Sequence, residues 1–172
     1  GYDSAGLAVL SKGGELRSVR TVGRVRALEA ALPKRLSGTA GIGHTRWATH
    51  GPATEANAHP HRSADGRIAV VHNGIIDNAT ALRSALERDG VPLASDTDTE
   101  VIAHLVSRSA ATTLEAAVLD ALTRIQGTYA IAVLDTAHPD RIVVARNGSP
   151  LILGVGEHEM FVASDVAALV RH

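Results

Sequence analysis

The sequence predicts a single α+β domain in which antiparallel β-sheets are covered by helices. Segments with strand-like composition cluster near both ends of the chain, whereas residues 79–125 carry helical periodicity. This order lacks the regular alternation of strand and helix that builds a parallel sheet, so a layered sandwich of antiparallel sheets is favoured. With 172 residues and 45% hydrophobic content, the chain can bury one core and is too short for two ordinary domains.

The N-terminal part predicts a hairpin followed by a short helix. Residues 7–10 and 15–22 have strand-like composition, and the Gly-rich segment 12–14 between them is typical of a turn. Apolar residues then follow a helical period over residues 25–36, where Pro33 predicts a break or an early end.

The middle of the chain predicts one buried strand and three helices. Residues 67–72 form an apolar run that suits a buried strand. Amphipathic patterns over residues 79–88, 101–109 and 113–125 predict the helices.

The last third predicts an antiparallel meander, because short β-rich runs are separated there by Pro, Gly and Asp. The runs comprise residues 127–134, 141–145, 151–153 and 160–163.

Composition and charge favour small-molecule chemistry. The 17 basic and 18 acidic residues give a net charge of -1, which leaves no electrostatic footprint for nucleic acid or for an anionic membrane surface. No apolar stretch of membrane-spanning length and no signal peptide is visible, so a cytoplasmic location is expected. The absence of cysteine excludes disulfides, zinc-thiolate sites and a thiol nucleophile within these residues.

A polar stretch at residues 43–51 predicts one wall of a pocket, because it follows an apolar run and is bounded by glycine. The guanidinium of Arg46 suits a bidentate grip on a carboxylate, although a surface charge is the simpler reading. Trp47 alone suits the core. Thr49 and His50 either cap the loop internally or present a hydroxyl and an imidazole to a substrate.

The pair Asn73-Gly74 directly follows the predicted strand 67–72. Asn-Gly commonly forms a hairpin turn, but a helical pattern follows here instead of a returning strand. At a strand end facing a cleft, the Asn amide and the Gly backbone N–H can both point at one oxygen. They can thereby stabilise the negative charge of a tetrahedral intermediate.

The segment 95–100 predicts the start of a helix. Thr97 and Glu100 fit a capping box, with Thr97 at the N-cap, and Asp98 then falls in the first turn, where a carboxylate complements the helix dipole. Asp98 alternatively binds a substrate ammonium while Arg46 holds its carboxylate, and the two residues then form an amino-acid clamp.

A metal-dependent hydrolase is a rival reading, because the chain holds nine histidines. The histidines that it would use are His44, His50, His59, His61 and His72. No His-Glu-x-x-His helix is present and no carboxylates lie near these pairs in sequence, so we expect neither a metal nor another cofactor.

Five segments together closely resemble the glutaminase domain of the glucosamine-6-phosphate synthases, which are class II glutamine amidotransferases. They occur in the same order and register as GYDSAGLA (1–8), HTRWATHG (44–51), NAHPH (57–61), VHNGII (71–76) and SDTDTE (95–100).

The resemblance implies a four-layer αββα sandwich of the N-terminal-nucleophile hydrolase type. It implies that a Cys thiolate attacks the glutamine amide, that ammonia leaves an acyl-enzyme, and that water then releases glutamate. By motif, Arg46 and Asp98 bind the α-carboxylate and the α-ammonium of the substrate, and Asn73 and Gly74 form the oxyanion hole. Residues 47–50 belong to a loop over bound glutamine.

The resemblance also implies that Thr49 and His50 face the substrate and that His59 is a supporting residue near the nucleophile. The ammonia would convert fructose 6-phosphate to glucosamine 6-phosphate on sugar isomerase domains of the same full-length chain, within a homodimer.

The chain departs from this family pattern because it has no Cys and lacks the first strand and helix of the family. We therefore expect residues 1–172 to be a glutaminase domain truncated at both ends, without the isomerase domains, and inactive alone. The alternatives are a non-catalytic glutamine- or glutamate-binding module and the glutaminase domain of another class II amidotransferase.

Overall fold

A computed structural model of the chain describes residues 2–47 and 51–170. Its strands and helices are β1 (Ser4–Leu10), β2 (Leu16–Val22), α1 (Val25–Ala31), β3 (Ala40–Arg46), β4 (His61–Arg62), β5 (Ile68–Ile76), α2 (Ala79–Arg88), α3 (Thr99–Ser107), α4 (Leu114–Arg124), β6 (Gly127–Asp135), β7 (Val143–Asn147), β8 (Ile152–Val155) and β9 (Met160–Ala163). A single 3₁₀ turn at Val166–Ala168 follows β9.

The strands form antiparallel sheets, as the sequence predicts. The first sheet has the order β2-β1-β3, the second has the order β4-β5-β6-β7, and β8 pairs with β9. Gly6 of β1 lies opposite His44 of β3, and Asn73 of β5 lies opposite Ala130 of β6.

The second sheet is buried on both faces. In β5, Ile68 and Val70 face the core formed with the helices, whereas Ala69 between them faces the first sheet. The strand β6 alternates in the same way, with Ile131 in the helix-side core and Ala132 between the sheets. Strands packed on both faces appear in the sequence as continuous apolar runs, because the side chains on each face contact another layer.

Helices cover the outer surfaces of both larger sheets. Helix α3 packs on β5 and α4 contacts β7, while α2 packs on α3. Helix α1 contacts β1 and β2 and buries Leu28. Because the inner face of β1 already packs against the second sheet, α1 lies on the outer face. The layers therefore run helix, sheet, sheet, helix, which confirms the predicted α+β sandwich.

Helix α1 ends at Ala31, early as Pro33 predicts, because Leu32 precedes the proline and adopts extended angles (φ -65°, ψ 136°). Strand β5 extends to Ile76, beyond the predicted end at residue 72. Strand β3 continues to Arg46 through part of the stretch predicted as a polar loop.

In the part of the chain that the structure describes, no helix has the length and apolar character needed to cross a membrane.

Candidate active site

A cavity of about 280 Å³ opens where β3 and β5 end and α3 begins. Its lining is mostly polar and comprises Tyr2, His44, Thr45, Arg46, Trp47, His59, His72, Asn73, Gly74, Thr97, Asp98 and Thr99. All the residues predicted for the glutamine site line it except Thr49 and His50, which lie outside the described residues, whereas His61 of the metal-site reading lines a second cavity. Residues of β3, β5 and the start of α3 thus share one site.

Arg46 is the last residue of β3, and its side chain is 5% exposed. Its guanidinium donates hydrogen bonds from Nη2 to the carbonyl of Gly51 at 3.2 Å and from Nη1 to the carbonyl of Pro52 at 3.4 Å. Burial lowers the pKa of the guanidinium from its usual value, and the charges of Asp3 and Asp98 oppose this shift. Arg46 therefore lies within electrostatic reach of Asp98, and the surface-charge reading is wrong.

Asp98 occupies the N-cap position of α3, but its side chain makes no capping hydrogen bond to the helix backbone. Its Oδ2 accepts the backbone N–H of Ile76 at 2.9 Å, and the Thr99 hydroxyl lies 3.4 Å from Oδ1. The carboxylate thus ties the end of β5 to the start of α3. The prediction that Asp98 lies in the first helical turn is wrong by one position.

The predicted capping box is wrong as well. Thr97 lies before the N-cap, and its hydroxyl is 3.0 Å from Nε2 of His61. The Glu100 carboxylate accepts the backbone N–H groups of Ala94 at 2.7 Å and of Ser95 at 2.8 Å. Burial raises the pKa of Glu100, but the hydrogen bonds with His104, Ala94 and Ser95 outweigh it and lower the pKa to about 2, so the carboxylate orders the preceding loop in its ionised form.

Asn73 and Gly74 lie within β5, which continues to Ile76, so the hairpin-turn reading is wrong. Gly74 has φ of +138°, and a Cβ at this position would lie 2.1 Å from the carbonyl oxygen of Thr128. Only glycine fits this conformation and this close approach. The resulting backbone brings Asn73 to the cavity.

His44 contacts Asn73 across the two sheets, with Nε2 lying 2.8 Å from Oδ1. Burial lowers the pKa of His44, although the bond to Asn73 opposes the shift, so the imidazole is neutral near pH 7. An amide oxygen only accepts hydrogen bonds, so Nε2 carries the proton and donates it. The Asn73 amide nitrogen then lies at the opposite end of the group.

Three further imidazoles line or adjoin the cavity. The His59 ring lies 4.2 Å from that of His44 and 4.7 Å from that of His61, measured between centroids. Burial lowers the pKa of His59 well below 6.5 and that of His61 to about 3, so both rings are neutral at physiological pH. His72 binds the Thr99 hydroxyl through Nδ1 at 3.0 Å.

Residues 2–47 and 51–170 contain no group of three or more His, Cys, Asp or Glu side chains arranged to hold a metal ion. The metal-hydrolase reading has no support among these residues, and one of its histidines, His50, lies outside them.

Trp47 is 65% exposed, so the core reading of this residue is wrong. Its ring lies 5.7 Å from that of Tyr2 at the mouth of the cavity. Sequence reasoning missed Tyr2, Thr97, Thr99 and the contact of His44 with Asn73. The strand period of two provides the signal for His44, because His44 and Arg46 occupy the same face of β3.

The αββα sandwich with a polar cavity at the ends of its sheets is the architecture of the N-terminal-nucleophile amidotransferases, which the structural neighbour described below shares. Within that class, the model of the glutamine amidotransferase domain family matches residues 44–171, and the chain belongs to this family.

The comparisons with individual proteins agree. The chain is 56% identical to a glutamine–fructose-6-phosphate aminotransferase (isomerizing) of Idiomarina loihiensis, over 99% of this chain and 28% of that protein. The protein of the same name from Mycobacterium tuberculosis is 51% identical over 100% of this chain and 29% of that protein. The chain thus spans less than a third of the length of these relatives.

The fold also matches a solved structure, the glutamine phosphoribosylpyrophosphate amidotransferase of B. subtilis in complex with ADP and GMP. The TM-score is 0.84 at 30% identity, and the match covers 98% of this chain and 37% of that one.

Proposed function

We propose that this domain binds glutamine, releases its side-chain amide as ammonia, and delivers the ammonia for the conversion of fructose 6-phosphate to glucosamine 6-phosphate. The observation that carries the proposal is the meeting of Arg46, Asp98 and Asn73 in one cavity of about 280 Å³. Fructose 6-phosphate is proposed as the ammonia acceptor because relatives that are 51–56% identical to this chain are named glutamine–fructose-6-phosphate aminotransferases.

Arg46 and Asp98 suit the two charged ends of a free amino acid. Arg46 donates from Nη1 and Nη2 to carbonyls at 3.4 and 3.2 Å, which fix the orientation of its guanidinium, and the planar five-donor fork of an arginine matches the two oxygens of a carboxylate. The Asp98 Oδ2 is occupied by Ile76, whereas Oδ1 has only the long contact of 3.4 Å with Thr99. An ammonium group therefore finds its acceptor at Oδ1.

Asn73 and Gly74 suit the oxyanion of the tetrahedral intermediate. Because His44 donates to Oδ1 of Asn73 at 2.8 Å, the Asn73 Nδ2 is the end of the amide that is directed at a developing negative charge. His44 holds this orientation in its neutral form. His59 supports the site through its ring contact with His44.

The chemical steps require a thiolate. Its sulfur forms a bond to the amide carbon, and collapse of the intermediate breaks the C–N bond, with a proton added to the leaving nitrogen so that ammonia departs. Water then attacks the thioester, which releases glutamate and restores the thiol. These 172 residues contain no cysteine, so we propose that they bind the substrate and that the nucleophile comes from other residues.

The remaining roles extend the same proposal. Trp47, exposed beside Tyr2, covers bound glutamine together with Thr49 and His50, which face the substrate. Residues 1–172 form one part of a longer cytoplasmic, homodimeric enzyme whose sugar isomerase domains receive the ammonia. The chain covers only 28% of the length of a relative that carries the full enzyme name, which supports the proposal that further domains complete the enzyme.

Two alternatives have observations in their favour. The absence of cysteine favours a module that binds glutamine or glutamate without turnover. The structural match at 30% identity favours the glutaminase domain of another class II amidotransferase, but the 56% identity to a sugar enzyme outweighs it.

The decisive experiment measures glutamate release and glucosamine 6-phosphate formation from glutamine and fructose 6-phosphate. We expect no turnover by the 172-residue chain, and turnover by a protein that joins it to an N-terminal Cys segment. Glutamate release by the 172-residue chain at an enzymatic rate would refute the external nucleophile. Release by the joined protein without amino-sugar formation would refute the acceptor alone.

A further inference from the structure

A second cavity of about 300 Å³ lies beside the candidate active site and has no part in the proposed reaction. It is bounded by β2, β4, the loop before α3 and α3 itself, and its ionisable lining residues are Arg20, His61, Arg62, Glu100 and His104. The hydrogen-bonded pair of Thr97 and His61 separates the two cavities, since Thr97 lines the first and His61 the second.

We propose that this second cavity binds a small oxyanion, either phosphate or a carboxylate, between the guanidinium groups of Arg20 and Arg62.

Both guanidinium groups have donors left over. Arg20 donates from Nη1 to the carbonyls of Ala56 and Ala58, at 3.3 and 3.2 Å. Arg62 donates from Nη2 to the carbonyl of Gly66, and its Nε is buried without a hydrogen-bond partner. A guanidinium carries five N–H donors, and a buried donor without an acceptor is unfavourable. An oxyanion supplies acceptors for several of them at once.

The charge balance of the cavity also favours an anion. Burial lowers the pKa of Arg20, the charges of Glu55 and Glu100 raise it, and the smaller effect of Arg62 lowers it again, so the two guanidinium groups still repel each other. An anion between them relieves this repulsion, whereas a neutral ligand does not.

Glu100 does not fill this role. Its oxygens accept the N–H groups of Ala94 and Ser95 and the Ser95 hydroxyl at 2.7–2.8 Å. Its Oε2 lies 3.9 Å from Nη1 of Arg83, and its Oε1 lies 3.4 Å from Nε2 of His104. The hydrogen bonds of Glu100 are thus made to α3 and to the loop before it, and Glu100 acts on Arg20 only through its charge. Two guanidiniums against this one carboxylate leave the lining net positive, while His61 stays neutral because burial lowers its pKa to about 3.

The size of the cavity restricts the ligand. At about 300 Å³ it lies at the small end of the range for ligand pockets, so an inorganic phosphate or a short carboxylic acid fits better than a nucleotide.

The test is calorimetric titration of the protein with inorganic phosphate and, separately, with succinate, both in saturating glutamate. The stronger of the two identifies the class of oxyanion. Arg62→Gln should weaken binding about tenfold or more, because a charge-assisted hydrogen bond is lost. Arg17→Gln, which removes the same charge from an arginine whose side chain is 53% exposed, should leave it unchanged.

Crystals soaked in selenate supply an independent readout, with the anomalous peak expected between Arg20 and Arg62. Three results would overturn the proposal: equal weakening of anion binding in both variants, competition of the anion with glutamate, or no binding of either anion at about 10 mM, which is roughly the weak limit of specific affinity. If Arg62→Gln fails to fold, Arg62→Lys replaces it, and unchanged binding in that variant counts against the guanidinium site. Glutamate binding is measured separately, so failure here leaves the proposed glutaminase function untouched.

Discussion

The Nε2 atom of His44 lies 2.8 Å from Oδ1 of Asn73, and this hydrogen bond joins the end of β3 in one sheet to β5 in the other. The bond crosses the interface between the sheets, whose apolar core includes Ile42 of β3 and Ala69 of β5. The orientation of the Asn73 amide is therefore set by the packing of the two sheets and not by β5 alone.

We expect His44→Leu to lower kcat for glutamine hydrolysis by about tenfold to a hundredfold while KM changes little. The Asn73 amide loses the donor that orients it, and misdirecting one oxyanion donor affects the transition state more than the bound substrate. His44→Gln restores an N–H donor and should recover part of kcat. Steady-state kinetics of the enzyme carrying its Cys segment provide the measurement, and a parallel rise in KM would assign His44 to substrate binding instead.

Arg46→Lys should weaken glutamate binding about tenfold or more, because lysine keeps the charge but loses the planar fork. Calorimetry measures the dissociation constant, with melting temperature as a check on folding, since Arg46 also binds the carbonyls of Gly51 and Pro52. Arg108→Gln at the C-cap of α3 is the control and should bind normally. Equal affinity in Arg46→Lys and the parent would remove Arg46 from the clamp.

Asp98→Asn should weaken glutamate binding by a similar factor and leave stability almost unchanged. The amide oxygen of Asn still accepts the N–H of Ile76, now 2.9 Å from Asp98, but the charge that attracts an ammonium is lost. The same titration tests this variant. Binding as tight as in the parent would show that the ammonium lies elsewhere.

The sequence alone identifies Arg46, Asp98 and Asn73 as candidate site residues, because each carries a group suited to one part of an amino-acid substrate. Pro33 likewise predicts the early end of α1, which is observed at Ala31. Patterns in sequence were sufficient here because the relevant physics is local.

Other features depend on partners that are distant in sequence. Glu100 fits a capping box by spacing, but the backbone N–H groups of Ala94 and Ser95 compete for its carboxylate. Strand β4 has only two residues, so it has no periodicity to detect. His44 and Arg46 place polar side chains on the inward face of β3, where the usual alternation predicts apolar ones, so the sequence predicts a polar loop for residues 43–46.

Gly74→Ala should destabilise the fold by about 3 kcal/mol or more, since left-handed strain adds to overpacking. The new Cβ would lie 2.1 Å from the carbonyl oxygen of Thr128, in a residue with φ of +138°. Gly90→Ala is a matched control because its φ of +76° is also unfavourable for alanine but no atom lies within 4 Å of the new Cβ. We expect a loss of only about 1 kcal/mol there. Urea unfolding measures both, and equal losses would contradict the steric argument.

The buried histidines predict a loss of stability as the pH falls below about 6.5. The pKa of His44 and of His59 is lowered from 6.5, and that of His61 is lowered to about 3, with burial as the first cause in each case. A histidine with a depressed folded-state pKa binds a proton on unfolding at any pH between the two values. Its stabilisation is thus complete above the unfolded pKa and disappears as the pH falls towards the folded one.

The window from pH 6.5 to about 5 isolates this effect from the carboxylates. The pKa of Glu100 is lowered from 4.5 to about 2, so its contribution is lost only below pH 4.5. In the histidine window, the free energy of unfolding should fall by roughly 1.4 kcal/mol per pH unit for each histidine that takes up a proton. His61→Gln keeps a polar partner for Thr97 and should reduce the slope by about one such increment. Urea unfolding at closely spaced pH values gives the slope, and a slope that is flat in the parent, or unchanged in His61→Gln, would show that these rings are not kept neutral by burial.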